Sequence, residues 1–146
     1  GVQTCALPIS IMGKFLKPGK VVIMTAGSWA GRKAVIVRNY DEGTEARRYP
    51  HAIVAGVARY PKAVKRRMSK KRMRYDSRIR PFLKTVSYTH IMPTRYGMEG
   101  NLKQYVNTAT MKERSKRVTA VRKIKAIFEE RYLAGKNEWF FTKLRF

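Results

Sequence analysis

Lys17-Pro18-Gly19-Lys20-Val21-Val22-Ile23-Met24-Thr25 and Gly31-Arg32-Lys33-Ala34-Val35-Ile36-Val37-Arg38 decide how this chain folds. Each holds a strand-length run rich in β-branched residues, and each is opened by a glycine. Pro18-Gly19 makes a turn, Ala26-Gly27-Ser28-Trp29-Ala30-Gly31 links the two runs, and Asp41-Glu42-Gly43-Thr44 turns the chain again. A third strand is expected over His51 to Val57, with Gly56 marking a bulge or a close approach. Three short strands in about forty residues predict a small antiparallel barrel. A fourth strand is expected over Phe82 to Thr89. Met92 to Tyr96 is expected to be irregular, because Pro93 has no N–H to donate to a ladder.

Beyond residue 110 the pattern becomes helical. Thr110-Met111-Lys112-Glu113 fits a capping box, in which side chains at both ends satisfy orphan backbone donors. Val121, Ile124, Phe128 and Tyr132 then recur at helical spacing, with Arg117, Arg122, Lys123 and Lys125 on other faces. Gly135 suits the residue that ends the helix. The short tail from Lys136 carries Trp139, Phe140, Phe141 and Phe146, too much aromatic surface to leave in water, and is expected to dock. The fold class is therefore mainly β with an α extension. In outline, residues 1–11 read as a non-native leader, since they carry the sole cysteine, Cys5, and no charged residue ahead of Met12. Residues 12–109 form the barrel with a basic insertion at about 62–80, residues 110–135 a basic amphipathic helix, and residues 136–146 the docked tail.

Charge sets the class of partner. Thirty-three Lys and Arg face nine Asp and Glu, a net of +24 in 146 residues. Such a chain repels itself until a polyanion takes up its field. The cations are interleaved with aromatic and apolar residues instead of being gathered in one tail, as at Arg74-Tyr75 and Arg95-Tyr96. That is the pattern of a folded binder of nucleic acid. Between Lys62 and Lys84 lie eleven Lys or Arg and a single acid, Asp76, as expected of an RNA-contacting insertion that orders on binding. A membrane role is disfavoured: no apolar run nears the ~20 residues a spanning helix needs, and the charge is not concentrated in one patch.

Chemistry is equally disfavoured. Asp41-Glu42 and Glu129-Glu130 are adjacent pairs, which on a helix do not share a face. There is no Walker A pattern, dinucleotide glycine fingerprint or HExxH. His51 and His90 are isolated, and one cysteine cannot make a disulfide framework or a thiolate zinc site. The reading is of a non-enzyme without metal, cofactor or small-molecule substrate.

The stretch from Lys17 to Thr44 resembles a KOW motif, which implies an SH3-like barrel of the kind found in ribosomal proteins and transcription elongation factors. Gly13-Lys14-Phe15, His51-Ala52-Ile53-Val54-Ala55-Gly56, His90-Ile91-Met92-Pro93-Thr94-Arg95-Tyr96, Phe128-Glu129-Glu130-Arg131-Tyr132 and the closing run from Gly135 to Phe146 are more specific. Together they resemble the eukaryotic large-subunit ribosomal protein L-twenty-seven family, from Met12 to Phe146. Ser28-Trp29 departs from it, standing where the family more often has Arg-Tyr, and residues 97–110 match poorly. The resemblance implies a structural constituent of the cytosolic large ribosomal subunit that binds rRNA beside neighbouring ribosomal proteins. It implies passage through the nucleus and nucleolus during assembly. The alternative is a KOW-type factor of transcription elongation or RNA processing. On chemical grounds the RNA contacts are expected at Lys17, Lys20, Arg32 and Lys33 of the barrel loops, and at Lys65, Arg66, Arg67, Lys70, Lys71, Arg72, Arg74, Arg78 and Arg80 of the insertion. Arg95, Arg117, Arg122 and Lys123 complete the set.

Overall fold

The computed structural model describes residues 16–98 and 102–144. The expected leader, Phe146 and part of the poorly matching stretch lie outside these residues. Five strands, β1 (Lys20–Met24), β2 (Lys33–Tyr40), β3 (His51–Arg59), β4 (Arg80–Ser87) and β5 (Ile91–Gly97), form one antiparallel sheet in the order β4-β3-β2-β1-β5. Helix α1 (Lys70–Asp76) lies in the β3–β4 connection, and α2 (Thr108–Lys112) and α3 (Arg114–Leu133) follow the sheet. β4 and β5 are the two ends of the sheet order. The expected barrel is thus present as an open sheet.

The strand runs are nearly continuous apolar sequences because both faces of the sheet are covered. On one face Val21, Val35, Val37, Ile53, Ala55 and Val57 pack beneath Leu102, Val106, Ala120, Ile124, Phe128, Phe140 and Phe141. On the other, Val22, Met24, Ala34, Ile36, Ala52 and Val54 meet Phe82, Val86, Tyr88 and Ile91. Central β3 is buried at every residue but Arg59. Gly56 is a close-approach point: a Cβ there would strike the Phe82 ring, its cross-strand neighbour, and come within 2.8 Å of the Lys33 carbonyl. Trp29 stacks on the same ring, with centroids 5.0 Å apart. The departure at Trp29 is therefore a packing residue in this chain.

Three expectations are corrected. Met92 to Tyr96 lies within β5, with Pro93 opposite Val22. Pro93 is tolerated because β5 is an edge strand, where a missing donor need not break a ladder, and the β1–β5 register shifts between Lys20 and Val22. The capping box does not form. Asn107 caps α2 instead, its Oδ1 accepting from Thr110 N at 2.8 Å and Thr110 Oγ1 at 3.0 Å, and the helix breaks at Glu113. The buried stripe of α3 is Ala120, Ile124 and Phe128, while Val121 and Tyr132 are half-buried. Choosing Ala120 over Val121 rotates the helix so that a small residue faces the sheet.

Gly135 ends α3 as expected. It has φ of +76°, and the Gly135 and Lys136 N–H groups donate to the Tyr132 and Arg131 carbonyls. This paired capping pattern needs a left-handed residue at that position. It reverses the chain, so that Phe140 and Phe141 lie edge-on against Phe128. The tail is docked on the protein's own sheet and helix.

Candidate nucleic-acid interface

The basic connection between β3 and β4 is organised around a closed neck. Lys62 N–H donates to the Asp76 carbonyl at 2.8 Å, tying the start of the segment to the end of α1. Ser69 caps α1, its Oγ accepting from Arg72 N at 3.3 Å. A short capped helix thus stands in the insertion, where the sequence alone predicts no regular structure. Lys65, Arg66, Arg67, Lys70, Lys71, Arg72, Arg74, Arg78 and Arg80 are all exposed on it or beside it. The lone acid, Asp76, is buried and 3.8 Å from Arg72 across one helical turn. Tyr75 is 53% exposed, with the Arg78 and Arg59 guanidiniums over its ring at 5.3 and 5.9 Å. This guanidinium–phenol–guanidinium set offers stacking surface and phosphate donors together.

On α3, Arg117, Arg122 and Lys123 are exposed, and the Lys123 ammonium lies 5.2 Å from the Tyr105 ring. Arg95 is exposed on β5 and donates to Tyr96 Oη at 3.2 Å. Lys17 is exposed and Lys20 half-buried at the turn into β1. Arg32 is half-buried. Its guanidinium donates to the Ala58 carbonyl and covers the Trp29 ring at 5.5 Å, so part of its capacity serves the fold.

Lys33 is a correction. It is 1% exposed, and its ammonium donates to the Trp139 carbonyl at 2.6 Å and to the Thr142 carbonyl, with the Trp139 ring centroid 4.0 Å away. No phosphate can reach it. Burial pulls its pKa below the ordinary lysine value. Lys33 fastens the tail to the sheet. Next to it, the Tyr60 hydroxyl accepts from Lys33 N–H at 2.8 Å, and burial pushes that phenol up. The strand position of Lys33 gave no sign of this, because the carbonyls that bind it lie more than a hundred residues away.

Among the described residues only two ion pairs occur, Arg72–Asp76 and Lys116–Glu113. Most of the positive charge therefore has no carboxylate partner within the fold and faces outward. Residues 21–146 match the Ribosomal L27e protein family. This chain belongs to that family. It is 52% identical over 136 residues to large ribosomal subunit protein eL27 of Caenorhabditis elegans, covering 92% of this chain and all of that protein. It is 54% identical over 139 residues to large ribosomal subunit protein eL27 of Solanum tuberosum, with the same coverage.

Within this L27e fold several basic residues have roles that no one-dimensional pattern shows. Arg38 donates to the Val106 carbonyl and, at 3.1 Å, to the Lys103 carbonyl, holding the segment before α2 against the sheet. Arg59 joins the Tyr75 platform although it ends a strand rather than belonging to the insertion. An Arg next to Tyr in sequence signalled the platform only in part; the partner from β3 is supplied by the chain reversal.

Proposed function

We propose that this chain is a structural constituent of the large subunit of the cytosolic ribosome, holding rRNA by its outward cations and supporting translation by position rather than by chemistry. Supporting this, two large ribosomal subunit proteins align with it over their whole length. The observation that carries the RNA contact is the exposed, carboxylate-poor surface from Lys65 to Arg80, arranged around a capped helix and the Tyr75 platform. There Lys and Arg displace counterions from phosphates, while guanidinium and phenol surfaces stack on unpaired bases. Arg95, Arg117, Arg122 and Lys123, with Lys17, Lys20 and Arg32, supply further phosphate contacts. Neighbouring ribosomal proteins are the further partners, and the chain passes through the nucleus and nucleolus during assembly.

The test is gradient sedimentation of ribosomes carrying a tagged chain, followed by a high-salt wash. Stoichiometric comigration with the large subunit that survives the wash is expected. Release by modest salt, or absence from that peak, overturns the proposal and favours the transcription or RNA-processing factor.

A further inference from the structure

A second place on the molecule combines shape, stacking surface and cations, away from the β3–β4 connection. His51, Ile53 and Thr85 of the sheet and Thr108, Met111, Lys112 and Arg117 of the α2–α3 segment line a cleft of about 410 Å³. Tyr40 and the buried His51 stack at 4.9 Å on its sheet side, and Met111 of α2 lines it too. Tyr40 Oη and Thr108 Oγ1 are 2.9 Å apart, which pins the phenol beneath α2. The cleft also touches Arg47, Lys112 and Arg117, all exposed, and no carboxylate lines it. Arg47 spends one N–H on Tyr49 Oη at 2.6 Å, and a guanidinium has five. Lys84 also borders the cleft, but its ammonium points to the opposite face, toward Gly27.

We propose that this cleft takes one unstacked RNA nucleotide. The base enters between the Tyr40–His51 stack and Met111, within reach of the Thr85 hydroxyl, and the flanking phosphates meet Arg47, Lys112 and Arg117. Three features choose this ligand. The cleft lies within the size range of small-ligand sites, which is too confined for a duplex. Its interior is aromatic and apolar, which suits a base face. Its rim is purely cationic, which suits the two phosphates that any extruded nucleotide carries with it. An acidic protein side chain would satisfy the rim but leave the interior empty. The inference deepens the RNA-binding reading above and rests on it: it assigns to a defined cleft the recognition of a bulged or flipped-out residue, where the β3–β4 surface reads only backbone and exposed stacks.

The experiment compares the free full-length chain on two RNA hairpins, one fully paired and one identical but for a single-nucleotide bulge, at 150 mM potassium chloride. About tenfold tighter binding to the bulged hairpin is expected, the size of one base–aromatic stack. Arg117→Gln and Thr85→Val should each reduce that ratio toward one. Lys70→Gln with Lys71→Gln should weaken both hairpins and leave the ratio in place. A melting curve identifies any variant that fails to fold, and the wild-type ratio decides the matter without variants. Equal wild-type affinity for the two hairpins overturns the cleft proposal and leaves the cleft to a protein side chain. Failure to bind either hairpin instead overturns the RNA-binding reading itself.

Discussion

Replacing Lys33 by methionine isolates one ammonium that holds two parts of the chain together. Methionine keeps most of the stem in its packed position and removes the charge. The loss comprises two charge-assisted hydrogen bonds, to the Trp139 and Thr142 carbonyls, and the cation–π interaction with Trp139. Hydrogen bonds to charged groups contribute about 1.5–3 kcal/mol each, and a desolvated cation–π interaction about 2 kcal/mol. Opposing them is the cost of burying an ammonium with no carboxylate beside it, several kcal/mol, which the substitution recovers. Because two carbonyls would be left without a donor, the net expectation is a loss of about 2–4 kcal/mol. For a chain of this size that lowers Tm by about 5–15 °C. The loss should be local first: amide exchange at Phe140, Phe141 and Thr142 should accelerate more than at Val54 or Ala55 in central β3. The pH dependence gives a second signature. The folded pKa of Lys33 is lowered, so in the window below the ordinary lysine value the unfolded chain binds more protons than the folded one. Its contribution therefore rises with pH through that window and falls as pH drops toward the folded pKa. Tyr60, whose pKa is raised, acts in the opposite sense: above about pH 10 the folded chain keeps a phenolic proton that the unfolded chain has lost, so its contribution falls as pH rises, and the wild-type minus Lys33→Met difference isolates Lys33. Unchanged Tm together with unchanged exchange in the tail would refute the reasoning.

Gly56→Ala should destabilise the fold by about 1–3 kcal/mol by driving a methyl into the Phe82 ring, and Phe82→Leu in the same chain should recover part of that in a urea melt. Asn107→Ala removes the acceptor for Thr110 N and should cost about 1 kcal/mol, read as faster exchange at Thr110 and Met111 with β3 unaffected. Neutralising Lys65, Arg66, Arg67, Lys70 and Lys71 to glutamine should flatten the log–log salt dependence of RNA affinity by about 3.5 to 4.5, at roughly 0.7–0.9 for each phosphate no longer neutralised. An unchanged slope would show that these five cations face solvent. Filter binding across a potassium chloride series measures it.

The arrangement of charge explains how an apolar core and a densely cationic surface coexist in so short a chain. Both faces of the sheet are buried by the chain's own elements, so the cations are left on the β3–β4 connection, the outer faces of α3 and the turns. Where a cation does enter the interior, as with Lys33, it is held by carbonyl oxygens rather than by one of the few acids. The same scarcity of acids leaves Arg38 bonded to carbonyls of the segment before α2.

The strands β1 to β4, the capped end of α3 and the polyanion-binding class followed from the chain alone. Runs of β-branched residues between turns, a left-handed glycine and +24 of net charge are local or additive properties that need no knowledge of neighbours. Tertiary structure decided the rest. β5 is a strand because it lies at the sheet edge, a property of strand order that Pro93 cannot announce. The helix breaks at Glu113, whose backbone is extended, and Asn107 caps the short helix before it, while Ala120 rather than Val121 is buried against the core. Lys33 reads as a surface cation in one dimension and is buried because Trp139 and Thr142 return to it across the sheet. The cleft below α2 likewise has no sequence signature: Tyr40, Thr85 and Arg117 become neighbours only when the sheet and the helices meet. Spacing along the chain reports periodicity and charge. Proximity between distant residues is fixed by packing, and it is packing that separates the cations left exposed from those that hold the fold.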